Sequence, residues 1–565
     1  MKKTFKFMLA TAAACALVLS CEKPEVPQDD PKDPTQEQPE TPGEEEEEPA
    51  PEPTLEVSLT ELAFEAAAGE ATFTVTTNQD WAAATEAAWI TLDPASGAAS
   101  TEAATVKVTA AENTVTEART ATVTVTAGEL TKTITVTQAA AVAPDGTEAN
   151  PYLVSDAATL KGMSDLLVAN ATTYFKLTAN IDLASAEWTP ISTIETVDET
   201  TVIKAIALDG CNYTISNAKE ALFSTLYGTV QNLTIDGSNI TVTRTSAGVL
   251  ADTAKEATIK NVTVSKAVIS NAAESNNNGY TGGLVGVFHS GSVENVNVAG
   301  ILNGRERLGM LMGQLASGTV KNCTVAGELT GVNYYIGGLV GMMTGGSVEN
   351  CSSSVNAVTA STAYGRIGGL IGQVEAGSIT GCSASGSVTS SGHYGGGLIG
   401  VLAKNVGVNI SKCYATGTVN LPASVNKSGG AGFIGAIEND GTFVISDCYT
   451  TATVTAYRWS SAFLGRMLNS CKVTLTNCYT KANCTFTQPD NCGALVGDVG
   501  TSTTLTYSGC VAWNVNTLKL FVRPGVETAP EGNYFGKEGT ISAKAKEFNW
   551  DESIWDLSGD EPKLK

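Results

Sequence analysis

A five-residue glycine motif returns eight times along the chain and constrains the fold more than any other feature. Its fullest form is Gly-Gly-Leu-Val-Gly at residues 282 to 286. Related segments are Gly309 to Gly313, Gly337 to Gly341, Gly368 to Gly372, Gly396 to Gly400, Ala431 to Gly435, Ser461 to Gly465 and Gly493 to Gly497. Successive final glycines lie 27, 28, 31, 28, 35, 30 and 32 residues apart, and worn copies stand upstream at Ala221 to Ser224 and Ala247 to Ala251. A period near 30 marks a repeat architecture, in which each unit buries its apolar face only against its neighbours.

A second landmark keeps phase with the first. Ten residues after the final glycine come Val296, Cys323, Cys351 and Cys382; at an offset of 13 come Cys413, Cys448, Cys478 and Cys510. Each closes a short apolar run such as Ser347 to Cys351, and a third run follows, as in Ala415 to Val419. Three short strands in about 30 residues fit one coil of a parallel β-helix. Coils stacked about 4.8 Å apart would pair their backbones and close the core. One small residue per coil at the landmark reads as an inward stack, because free cysteine packs like a small hydrophobe. A single thiol per coil is a poor arrangement for a tetrahedral metal site, and no metal is expected. Cys471, Cys484 and Cys492 are out of phase, which leaves room for one disulfide among them in an oxidising compartment.

These units resemble GLUG repeats, a glycine motif of bacterial surface proteins. Asp145 to Leu153, then Tyr174 to Leu177 and Ile181 to Leu183, look like the usual entry to such β-helices. Phe548 to Trp550, Ile554-Trp555 and Pro562 look like their C-terminal cap. Ahead of the repeats, residues 55 to 140 alternate apolar and polar residues in short runs separated by turns, as in a β-sandwich. The residues Asn78 to Trp81, Trp89 to Leu92, Pro94 to Gly97, Asn113, Arg119 to Ala121 and Val136 to Gln138 resemble the BACON domain, whose name implies carbohydrate binding. Trp81 and Trp89 have two readings: platforms for a sugar, or core anchors of the sandwich.

The N-terminus bears on location. Lys2, Lys3 and Lys6 precede an apolar run from Phe7 to Leu19, a secretory layout. It ends Val18-Leu19-Ser20-Cys21, which resembles the bacterial lipobox and implies cleavage before Cys21 and lipidation of that cysteine. Residues 22 to 54 hold 13 acidic residues and 9 of the 18 prolines, a composition that cannot bury a core. The acidic cluster Asp29, Asp30 and Asp33 resembles a surface-export signal of Bacteroidetes lipoproteins; a solvated spacer is the other reading. The formal charge of −24 argues against a nucleic-acid partner, since phosphate binding needs a basic face.

The expected architecture is all-β: a small BACON-like β-sandwich followed by a capped parallel β-helix of GLUG-type repeats. Its segments are a lipoprotein signal (1–20), an acidic tether (21–54), the sandwich (55–140), the β-helix entry and cap (145–219), the repeats (220–515) and a C-terminal cap (516–565). The expected location is the outer membrane, lipid-anchored and exposed on the cell surface, with the lipid as the only membrane contact.

Six residues before each final glycine stands a column: Tyr280, Arg307, Tyr335, Arg366, Tyr394, Gly429, Trp459 and Asn491. Apolar residues follow three of them (Leu308, Ile336, Ile367), so strand alternation would turn those inward and the column outward. One reading makes Tyr280, Arg307, Tyr335, Arg366, Tyr394 and Trp459 a ligand platform. The other makes them a cation–π ladder that steadies the coils.

Catalysis is not expected. Glu294, Glu328, Glu349, Glu375, Glu438, Asp440 and Asp447 are scattered, and the only histidines are His289 and His393. A β-helix lyase or hydrolase would need clustered carboxylates. No cofactor is implied. The function expected is that of an adhesin or glycan-binding surface lipoprotein, with host or dietary glycans or mucin as partners; the alternatives are a structural stalk or surface-layer component and a polysaccharide-degrading enzyme.

Overall fold

The computed structural model describes residues 51–565 apart from 273–278, 360–364, 404–406, 422–428, 439, 469, 501, 514–532 and 537. Cys21, the signal segment and most of the tether lie outside the described residues. Two compact units divide after Ala140.

The first unit is a two-sheet sandwich. Its strands are β1 (Leu55–Val57), β2 (Glu61–Phe64), β3 (Gly69–Thr77), β4 (Trp81–Ala84), β5 (Ile90–Asp93), β6 (Ser96–Gly97), β7 (Ser100–Ala110), β8 (Arg119–Ala127) and β9 (Leu130–Gln138). One sheet runs β1-β3-β7-β5 and the other β2-β9-β8-β4-β6, with β2 and β9 parallel and the other pairs antiparallel. Alternation places Phe73, Val75, Val106, Val108, Val123, Val125, Ile134 and Val136 between the sheets. Trp81 joins them at 4% exposure, and its indole lies so close to Gly97 that a Cβ there would stand 2.6 Å from Nε1. Of the two readings of Trp81, the core anchor is the one the structure shows. Gln138 is buried and donates to the carbonyls of Ala66, Ala67 and Ala111, while Asn113 donates to those of Glu117 and Ala139. The polar signature residues thus give hydrogen-bond partners to loop carbonyls at the ends of the strands.

The second unit is a parallel β-solenoid. One inward ladder runs unbroken through Ile191, Phe223, Ala251, Val285, Met312, Val340, Ile371, Ile399, Ile434, Leu464 and Val496. Every member is at most 4% exposed. The sequence spacing predicts three strands in each coil. A representative coil has four: Tyr335–Gly337, Val340–Met343, Ser347–Glu349 and Ser352–Thr359. The added strand is the column of tyrosines and arginines, and the glycine motif is the tight turn that folds it against the next strand. A Cβ on Gly337 would meet the Val340 carbonyl at 2.0 Å, and one on Gly341 would meet the Leu308 amide nitrogen at 2.6 Å. Only glycine permits that approach.

Each coil turns a corner just before the inward landmark. Asn232, Asn261, Asn295, Asn322 and Asn350 take left-handed φ values of 51–54°, which asparagine tolerates better than most residues. Their amides form a ladder, from Asn261 to Asn232 at 3.0 Å, Asn295 to Asn261 at 3.1 Å and Asn322 to Asn295 at 3.2 Å. The corner drives the following Val296, Cys323 or Cys351 into the core. There the backbone N–H of Cys323 meets Cys351 Sγ at 3.4 Å, and the contact repeats from Cys351 to Cys382 and from Cys382 to Cys413. Cys471, Cys484 and Cys492 are all free thiols, so the disulfide left open by the sequence is not formed.

The N-terminal end is covered by α1 (Ala157–Leu166). Asp156 and Thr159 form a reciprocal capping box at its start, and Leu160 and Met163 face the core. At the other end, α2 (Ile541–Glu547), Trp550 and Trp555 pack on Val511 and on the sides of Tyr449 and Tyr479. Trp555 Nε1 donates to Asp447 at 3.1 Å, and the Tyr479 hydroxyl donates to the Pro562 carbonyl at 2.9 Å. The cap therefore clamps the flank of the last coils as well as shielding strand edges.

Candidate binding surface: the tyrosine and arginine ladder

The column of tyrosines and arginines forms its own parallel sheet of seven short strands, from Ser246–Ala247 to Gly429–Ala431. Its register is direct: Tyr280, Arg307, Tyr335, Arg366, Tyr394 and Gly429 pair in sequence. Leu308, Ile336 and Ile367 are fully buried beneath it, as alternation requires. Tyr280, Arg307, Tyr335 and Arg366 are half-buried on the outer side, whereas Tyr394 is 7% exposed and burial raises its phenol pKa. Single bridges continue the sheet from Ala431 to Ser461 and Gly493. Trp459 departs from the strand through a φ of +53°.

The side chains interleave. Arg307 Cζ lies 4.8 Å from the Tyr280 ring centre and 5.3 Å from that of Tyr335; Arg366 lies 5.5 Å from Tyr335 on the other side. Trp459 is held between Arg458 at 3.8 Å and Arg466 at 4.2 Å. Three of the guanidinium groups also have an acid. Arg307 pairs with Glu306 at 3.4 Å, Arg366 with Glu438 at 2.7 Å and Arg466 with Asp498 at 3.2 Å. Gln373 joins Arg366 to Glu375, donating to the latter at 3.1 Å. Of the carboxylates that look scattered in the sequence, Glu438 and, through Gln373, Glu375 are therefore partners of the ladder. Glu294 and Glu349 likewise pair with Lys260 and Lys321, at 3.6 and 4.0 Å.

At the N-terminal end of this sheet Arg244 bridges Glu220 at 2.5 Å and Asp252 at 2.9 Å. Burial pushes the Asp252 carboxyl up to about 6 against the opposing pull of Arg244. His393 stands edge-on to Tyr394 with ring centres 5.9 Å apart. Among the described residues no group of three His, Cys, Asp or Glu side chains is placed to hold a metal ion. The arrangement is thus a charge-balanced band of ring and guanidinium surfaces.

Two further aromatic features bear on binding. In the sandwich, Trp89 is half-buried with Arg119 Cζ 4.4 Å from its ring centre, beside a shallow recess of about 770 Å³ lined by Ala84 to Ala87 and Thr120 to Thr122. In the solenoid, Tyr414, Tyr449 and Tyr479 form a stack with ring centres 4.9 and 4.8 Å apart and planes within 6°. Sequence reasoning missed this stack, although its signal is visible: a tyrosine follows the landmark cysteine in each of Cys413-Tyr414, Cys448-Tyr449 and Cys478-Tyr479.

Two family models accord with this architecture. Residues 79–139 match the BACON family, described as "Putative binding domain, N-terminal", and residues 332–359 and 363–389 match the GLUG motif. No match was found among curated proteins. Among solved structures, a "putative immunoglobulin A1 protease from Bacteroides ovatus" is 16% identical, with 74% of this chain and 94% of that one covered at a TM-score of 0.22. A structure named "IgA1 Protease" is 17% identical, with 74% of this chain covered at a TM-score of 0.30; the chain spans 27% of its length. A protein from Bacteroides thetaiotaomicron is 19% identical over 18% of this chain and 98% of its own, at a TM-score of 0.13. The chain carries a BACON domain in its first unit and GLUG repeats within its parallel β-solenoid.

Proposed function

We propose that the protein is a non-catalytic, glycan-binding adhesin, anchored by lipid on Cys21 and displayed on the outer surface of the cell. The observation that carries this reading is the column from Tyr280 to Arg366. Its rings and guanidinium groups form a partly buried band, with the Arg307 and Arg366 side chains 14% and 23% exposed, whose charges are already matched by Glu306 and Glu438. Such a band suits an uncharged partner with flat apolar faces and hydroxyl edges, which is the chemistry of a sugar. The BACON domain, with Trp89 beside its recess, offers a second place for the same class of ligand.

The test is binding to arrayed glycans and mucin, beside a variant with Tyr280, Tyr335, Tyr394 and Trp459 changed to alanine. Binding lost in a variant that keeps its circular dichroism assigns recognition to the ladder. Retained binding moves it to Trp89 or another face. Labelling with a radioactive fatty acid, abolished by Cys21→Ala, tests the anchor, and protease digestion of intact cells tests the display.

A structural stalk is the second reading, favoured by the same ladder. Side chains that stack on one another and pair with their own acids stabilise the coils without any ligand. Absence of glycan binding together with a large loss of stability in the four-fold variant would select it.

A further inference from the structure

The stack formed by Tyr414, Tyr449 and Tyr479 is closed at one end and open at the other. Tyr479 is 1% exposed beneath Trp550 and Trp555. Tyr414 is half-buried, and Tyr449 covers one of its faces at 4.9 Å with the planes 6° apart. Among the described residues no ring or cation covers its other face. The rungs on that side carry Ser383 and then Ser352, Thr324, Asn297 and Thr263 in direct register. A column that holds tyrosine for three coils therefore drops to small polar side chains, and the last ring faces the space they leave.

Along the same rungs, beyond Ser383, lies a trough of about 310 Å³ on the outside of the solenoid, lined from Thr263 to Ser354 and Ser385. Four of its rungs carry Val264, Val298, Val325 and Ser353 and the fifth Ser385, so it extends roughly 19 Å at the spacing of paired strands and ends one rung short of Tyr414. Its polar lining is neutral: hydroxyls from Thr263, Ser265, Thr324 and Ser354, and the amide of Asn297. Ser352 and Ser383 make no hydrogen bond to another described residue through their hydroxyls, which leaves donors and acceptors free beside the open ring. The lysines and glutamates of the neighbouring column are paired with one another, Lys260 with Glu294 and Lys321 with Glu349. No net charge is presented to a ligand by these groups.

We infer that this trough is a binding site for an uncharged polysaccharide, with one sugar ring stacked on the open face of Tyr414 and the chain lying along the rungs toward Thr263. The inference rests on the glycan-binding reading of the protein but places the site on a different face from the tyrosine and arginine ladder. The occupant follows from the lining. A flat apolar ring face wants a flat apolar partner, and neutral hydroxyl and amide groups match the hydroxyl edges of sugars. An acidic polymer would find no cation in the trough to offset its desolvation.

The experiment is native affinity electrophoresis and calorimetry of the whole secreted protein with galactomannan, a mixed-linkage β-glucan, polygalacturonate and heparin. The expected result is binding to a neutral polymer, weakened at least about tenfold in Tyr414→Ala and unchanged in Tyr414→Phe. Ser383→Tyr supplies the control against misfolding: it extends the stack by one ring and occupies the open face, so binding should be lost while thermal stability is kept or raised. Neutral binding that survives both Tyr414→Ala and Ser383→Tyr overturns the trough as the site and leaves the glycan-binding reading standing. Binding of only the acidic polymers overturns the trough. Failure of the wild-type protein to bind any of the four overturns the inference and counts against the reading beneath it.

Discussion

Arg366 donates to Glu438 at 2.7 Å across 72 residues of chain, reaching over the coil that carries Tyr394 to an acid two coils further on. The stacking of coils turns a distant sequence pair into a clasp on the surface of the solenoid. Removing one partner strands the other where it is 17–23% exposed. Arg366→Ala and Glu438→Gln should each destabilise the solenoid by about 1–2 kcal/mol, and the double variant by less than their sum. Denaturant unfolding of the four proteins in a cycle measures this. Strictly additive effects would remove the clasp from the account.

Tyr335 is the central ring of the ladder, between Arg307 at 5.3 Å and Arg366 at 5.5 Å. Tyr335→Leu keeps side-chain bulk but removes the ring face on which both guanidinium groups rest. A loss of about 1–2 kcal/mol is expected, and Tyr335→Phe should recover most of it. Equal loss in the two variants would assign the effect to the Tyr335 hydroxyl, which accepts from Arg366 at 3.4 Å.

The stacked cysteines should behave as buried apolar groups. Burial, with the adjacent Cys351 and Cys413 thiols, holds Cys382 well above the ordinary thiol range; outside the stack, burial pushes Cys471 up to about 11 and Cys484 to about 12. In native protein at pH 8 these thiols should resist a disulfide reagent and react together once guanidinium unfolds the coils. Cys382→Ser, which buries a hydroxyl in their place, should cost about 1–3 kcal/mol. Rapid native-state labelling would place the column at the surface instead.

Asp252 should give the solenoid a pH dependence. Its folded-state pKa of about 6 lies above its ordinary value of 3.8, with burial as the largest cause. The folded protein therefore holds this proton more tightly than the unfolded chain. The stabilisation linked to it is fully present below the ordinary value and is lost as the pH rises through 6. Unfolding free energy followed from pH 4 to pH 7 should fall more steeply in the wild type than in Asp252→Asn. Identical slopes would show that Arg244 holds Asp252 ionised throughout.

Much of the architecture was legible from spacing. The glycine period and the in-phase cysteines identify a stacked coil because they recur at near-constant intervals, and the BACON signature identifies the sandwich by the order and spacing of its residues. Alternation also placed Leu308, Ile336 and Ile367 inward. The column was legible as a stripe but not as a fourth strand of each coil, because each of its segments is only three residues long and runs straight into the glycine turn. Tyr414 was visible only as a residue after a cysteine; which of its faces is covered depends on the coils before and after it.

The sequence by itself determined that the chain stacks repeats, which residues enter the core at the glycine and cysteine landmarks, and that Tyr280, Arg307, Tyr335 and Arg366 share one column. These follow from periodicity, since equal spacing puts equivalent residues on top of one another in any coil. Only the tertiary structure decided what the column does with its charges, that Arg366 spends its guanidinium on Glu438, and that Trp555 closes over Tyr479 while Tyr414 keeps a face open. Those outcomes depend on contacts between coils of unequal length and on a cap that folds back along the flank, and one-dimensional spacing carries neither.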